Sequence, residues 1–78
     1  LEEYFEPLEE LGPEVREHVV EAVDTYIRAG FNTREAARLL DVHHNTVRNR
    51  LEQFVTLTGL DLKQSEDLLM LLIYLQNR

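Results

Sequence analysis

The chain has 78 residues, no cysteine and a formal net charge of −7 at pH 7. A domain of this size buries only roughly 60–65% of the surface its unfolded chain exposes, which allows one simple core and no large enclosed active site. Disulfides and thiolate metal centres are excluded, and three histidines are too few to replace the thiolates as ligands, so neither a metal nor a cofactor is expected.

Strand-like alternation is absent, and no repeat or Gly/Ser linker divides the chain, so a single all-α domain over residues 1–78 is expected. The sequence opens on Leu1 instead of Met, which points to a piece of a longer polypeptide. No basic stretch with a small-residue cleavage site marks a signal peptide. The apolar run Leu68 to Leu75 is far shorter than the about 20 residues that cross a bilayer. A soluble, cytoplasmic protein is the expectation.

Residues 1–12 read as an acidic N-terminal arm. Apolar side chains at Leu1, Tyr4, Phe5, Leu8 and Leu11 keep a helical rhythm that Pro7 interrupts, so short helical turns are expected there. Gly12-Pro13 punctuates the chain, with proline suited to the first helical position. The stripe Val15, Val19, Val20, Val23, Tyr26 and Ile27 then predicts an amphipathic helix ending at Gly30. Asn32 is placed to cap the next helix, with Glu35 reaching back to it. That helix should run from Thr33 to Leu40 and bury Ala36, Ala37 and Leu40, with Leu39 alongside. After a turn at Asp41-Val42-His43, a longer helix extends from about His44 to Thr58 and stops at Gly59. Ser65 is expected to cap a last helix that is apolar nearly all round, from Leu68 to Leu75. Its apolar surface closes the core, and any surplus would form a homodimer or higher oligomer.

Charge is unevenly spread. Between Tyr26 and Leu51 five arginines face only Glu35 and Asp41, a local balance of +3, while the rest of the chain carries −10. Charges beyond a Debye length of about 8 Å are largely screened, so a basic island in an acidic body can still bind phosphate.

At about 100° per residue, Val47, Leu51, Phe54 and Val55 share one face of the helix that begins near His44. With Val47 pointing inward, Asn45 and Asn49 point outward, flanked by His44 and Arg48 on one side and Thr46 and Gln53 on the other. Asparagine and threonine are mediocre helix formers, so helix stability does not account for them. They suit another purpose, because an α-helix fits the major groove of DNA, where arginine forks onto guanine and asparagine pairs with adenine. Residues 33–58 therefore read as a helix-turn-helix, in which the start of the second helix meets base edges and the first crosses the backbone. The expected base contacts are His44, Asn45, Arg48 and Asn49. The expected phosphate contacts are Thr33, Arg34, Arg38, His43, Thr46 and Arg50.

The stretch "NTREAARLLDVHHNTVRNRLEQFVTLTGLDL" resembles the C-terminal helix-turn-helix domain of PucR-type and CdaR-type bacterial transcriptional regulators, with a looser likeness to Fis-type hairpins. The likeness covers about residues 15 to 76. It implies a DNA-binding output module joined to a larger N-terminal ligand-sensing region. His44 stands where the family often has arginine, which implies weaker phosphate affinity at that point. The acidic residues 1–24 would have to face away from DNA.

Other readings carry less. His43 and His44 diverge as neighbours at a helix start and are better used in hydrogen bonding than on a metal. Ser65 has no base to activate it, so no enzyme is expected. The rival reading is a helical oligomerisation or docking module that uses its leucine helix and acidic arm and does not bind DNA.

Overall fold

The computed structural model describes residues 2–78. Five helices follow one another, α1 (Glu2–Glu9), α2 (Pro13–Arg28), α3 (Thr33–Leu40), α4 (His44–Thr58) and α5 (Ser65–Gln76), and no strand occurs among the described residues. The fold is all-α, as the missing two-residue period implies.

The N-terminal arm is more ordered than its proline suggests. It forms a continuous helix with Pro7 inside it, because Phe5 and Leu8 are buried in the main core and offset the backbone hydrogen bond that proline cannot make. Phe5 also stacks on Tyr74 of α5, with ring centroids 4.1 Å apart and planes 8° from parallel. Leu1, counted in the apolar rhythm, lies outside the described residues.

Pro13 opens α2, and Val19, Val20 and Val23 are buried as their spacing requires. Val15, assigned to the same stripe, is exposed instead. It sits in the first turn of α2, ahead of the stretch that the core covers. The helix ends in a Schellman motif in which the Gly30 N–H donates to the Ile27 carbonyl at 3.0 Å and the Phe31 N–H to that of Tyr26 at 2.9 Å. Gly30 takes the left-handed conformation this needs, with φ at 72°. Phe31 is also left-handed, at 62°, and its ring meets Tyr26 edge-on at 5.5 Å.

The next turn brings the two hairpin helices together. Asn32 Oδ1 accepts the Glu35 N–H at 2.9 Å, so the cap forms as its spacing predicts. The reciprocal half of the capping box does not: Glu35 Oε1 accepts from Arg38 Nε at 2.6 Å instead. At the other end, Val42 N–H donates to Ala37 at 3.0 Å and Asp41 N–H to Arg38 at 3.3 Å. Asp41 is left-handed, with φ 57° and ψ 48°, a conformation that costs a non-glycine residue about 1–2 kcal/mol. These bonds reverse the chain within three residues. They seat Ala36 and Ala37 against Val47, and small side chains on α3 let the helices approach closely. Leu39 lies outside this contact and is exposed.

Two buried clusters divide α4. Its N-terminal half is held by Val47 against α3, and its C-terminal half by Phe54 in a cluster with Phe5, Leu8, Val20 and Leu71. Leu51 packs against both. Thr58 is buried at the end of α4, where its hydroxyl donates to the Phe54 carbonyl at 2.9 Å and accepts the Leu60 N–H at 3.2 Å. Val55, read from periodicity as inward, is 39% exposed. It lies at the edge of the buried arc, and no helix covers that flank. Ser65 is the first residue of α5 and not its cap, because the capping position is Gln64, which makes no side-chain capping bond. The start of α5 is tied down from within, by Asp67 Oδ2 accepting the Asp61 N–H at 2.8 Å.

Candidate nucleic-acid interface

Burial of Val47 fixes the rotation of α4 about its axis. With Val47 fully buried, Asn45, Arg48 and Asn49 are all exposed, while His44, Thr46 and Arg50 are half-buried along the flanks. The outward face holds amide and guanidinium groups and, one turn further on, Glu52 and Gln53. Among the described residues no side chain of the acidic arm covers it, because α1 meets α4 through the cluster around Phe54, on the C-terminal half.

The cations separate into two groups. Arg16 pairs with Glu9, Arg28 with Asp24, Arg38 with Glu35 and Arg78 with Glu17. Arg34, Arg48, Arg50 and Lys63 form no ion pair with any described side chain. The basic island is thus narrower than its composition implies, since Arg28 and Arg38 are each answered by a carboxylate one turn away. Such exposed pairs are weak, about 0.2–1 kcal/mol. A phosphate near Arg38 would nevertheless have to compete with Glu35.

His43 and His44 do different things. His43 caps α4, its Nδ1 accepting the Asn45 N–H at 3.1 Å. An acceptor at Nδ1 puts the ring proton on Nε2, which leaves an N–H available as a donor to the outside. The two imidazoles stack, with centroids 4.3 Å apart. Partial burial, then Arg34, His43 and Arg48, lower the pKa of His44 from its ordinary value. At neutral pH His44 therefore presents an uncharged ring with one donor and one acceptor. Among the described residues no group of His, Asp or Glu is arranged to hold a metal.

Beside Arg48 lies an open cleft between the end of α2, the flank of α4 and the loop that leads to α5. Tyr26, Phe31, Leu51, Val55, Leu62 and Leu68 form its apolar floor, and Arg48, Glu52, Asp61 and Lys63 are charged groups on its walls. Sequence spacing had no means of finding it, because Tyr26, Val55 and Lys63 are brought together by the packing of α2 on α4 and by the course of the loop between α4 and α5.

The model of the PucR C-terminal helix-turn-helix domain matches residues 19–76. The chain belongs to this family. Membership suggests DNA binding within a transcriptional regulator, and a helix-turn-helix of this kind is not a catalytic unit. Similar proteins include an uncharacterized protein of Mycobacterium bovis and two of Mycobacterium tuberculosis, each 39% identical over 61 residues, which is 78% of this chain and 14% of the relative. The chain therefore spans only about 14% of the length of the curated relatives it matches. No solved structure matches it. Among the described residues of this PucR-type domain no helix is long and apolar enough to cross a membrane.

Within the PucR-type hairpin, the sequence-derived base-reading residues fall on one stretch of surface: Asn45, Arg48 and Asn49 exposed, His44 half-buried beside them. Of the phosphate set, Arg34 and Arg38 are exposed on α3, with Thr33 half-buried at its first position, and Thr46 and Arg50 lie half-buried on α4. His43 is exposed at the turn, with one ring nitrogen already committed to the cap.

Proposed function

We propose that this chain is a single sequence-specific DNA-binding domain, with α4 lying in the major groove and α3 crossing the backbone. The observation that carries the reading is the burial of Val47, which leaves Asn45, Arg48 and Asn49 facing solvent between cations that pair with no described side chain. Asn45, Arg48, Asn49 and the neutral His44 are the base-reading groups. Arg34, Arg50, Thr33, Thr46 and the His43 Nε2–H are the phosphate-binding groups, with Arg38 a weaker member because Glu35 already holds it. The domain serves as the output module of a longer, cytoplasmic bacterial regulator whose remaining sequence senses a ligand. Salt dependence tests this reading. Arg34→Ala should make log K against log salt less steep by about 0.9, the value for one phosphate contact, and Arg38→Ala by distinctly less. Duplex binding that ignores salt in the unmodified protein would refute the assignment.

A second copy of the domain is a further proposed partner. Leu69, Leu72 and Ile73 are 60%, 40% and 38% exposed and share the outer face of α5 by their i, i+3, i+4 spacing. Three half-exposed aliphatic side chains offer much less than the roughly 800 Å² per partner of a stable interface. Self-association through α5 is accordingly weak, and becomes effective when two half-sites about 34–36 Å apart hold two domains side by side. Sedimentation should find the isolated domain monomeric at micromolar concentration without DNA, and two domains bound cooperatively to a duplex with paired half-sites. Independent binding to the paired half-sites would remove α5 from the account.

A further inference from the structure

Three of the four cations that pair with no described side chain belong to the helix-turn-helix, and the fourth, Lys63, lies outside it in the loop between α4 and α5. Packing nevertheless returns Lys63 to the flank of α4, where it lines the same open cleft as Arg48. Arg48 and Lys63 therefore share one flank of α4, while Arg50, two residues on from Arg48, projects from another side of the helix.

The loop that carries Lys63 is held in place. The Lys63 N–H donates to Asp61 Oδ1 at 2.9 Å, Gln64 N–H donates to the Asp61 carbonyl at 3.0 Å, and Asp61 N–H donates to Asp67. Asp61 thereby spends one carboxylate oxygen on the Lys63 backbone and forms no ion pair with its ammonium. Lys63 is exposed and gives up no ion pair with a described side chain on meeting an anion.

We infer that Lys63 is an additional phosphate contact, which extends the DNA footprint past the helix-turn-helix on the Arg48 flank of α4. The inference rests on the DNA-binding reading above and adds a residue to it. Two carboxylates, Glu52 and Asp61, line the same cleft and oppose the approach of a phosphate. Such opposition raises a competing role for Lys63, that of merely offsetting Glu52, and the experiment separates the two.

The probe is random-sequence duplex DNA, since a phosphate contact is independent of sequence, and the protein is the full-length regulator carrying this domain. Affinity is measured across a salt series for the unmodified protein, Lys63→Ala, Glu52→Gln and the combined variant. Lys63→Ala should make the slope less steep by about 0.9, both alone and in the Glu52→Gln background, and Glu52→Gln alone should bind more tightly. An unchanged slope for Lys63→Ala overturns the inference while leaving the DNA-binding reading intact. So does a loss that disappears once Glu52 is neutral. If the unmodified protein shows no salt-dependent binding at all, the DNA-binding reading itself fails.

Discussion

Replacement of Phe54 by alanine is expected to destabilise the domain by about 3–5 kcal/mol, the usual cost of deleting a fully packed aromatic side chain. Phe54 is 1% exposed and sits where α1, α2, α4 and α5 converge. A chain of this length has a total stability of roughly 4–12 kcal/mol, so the substitution removes a large share of it. Urea denaturation would show the midpoint falling steeply, whereas Phe54→Leu, which leaves a smaller void, should retain most of the stability. The functional consequence follows from the division of α4 between two clusters. Val47 and the alanines of α3 hold only the N-terminal half, so loss of the Phe54 anchor frees the helix that carries the proposed reading residues. A loss below about 1 kcal/mol would mean that the main cluster does not depend on this ring.

Arg48→Ala should weaken binding to the preferred duplex by about 1–3 kcal/mol, or roughly 5- to 150-fold, and relax the preference at one base pair. The side chain is exposed and pairs with no described carboxylate, and its removal leaves Val47 and Leu51 in place. Thermal unfolding should accordingly be almost unchanged, which separates a lost contact from a lost fold. Selection from a random duplex pool would show a position that the unmodified protein specifies and the variant does not. Arg34→Ala, in contrast, should weaken every sequence alike, because a phosphate contact carries no base information. Should the Arg48 variant select the same sequences with the same stringency, α4 is not the reading helix.

Several features of the hairpin were legible without coordinates because each rests on a short-range rule. Asn32 caps α3 through the N–H three residues on, Gly30 supplies the left-handed end of α2, and α3 and α4 begin and end where the capping residues place them. The outward direction of Asn45, Arg48 and Asn49 was equally accessible, because Val47 and the helical period suffice to determine it.

Other local expectations failed where a longer-range competitor was present. Glu35 found Arg38 on its own helix in place of the Asn32 backbone. Pro7 did not break α1, because Phe5 and Leu8 gain more from the core than one backbone bond costs. Val55 was given to the core by a period that cannot know how wide the buried arc is. Periodicity gives the centre of a buried face, whereas its width depends on which helices arrive to cover it.

The amino-acid sequence by itself determined the four helices from α2 to α5, the hairpin and the face that α4 turns outward, since capping, glycine placement and the 3.6-residue period act within a few residues. Only the tertiary structure decided which cations have no partner among the described side chains, that α1 meets α4 away from its outward face, and that Lys63 lines the same cleft as Arg48. Those outcomes depend on contacts between residues far apart in the chain, and no local rule ranks one such contact above another.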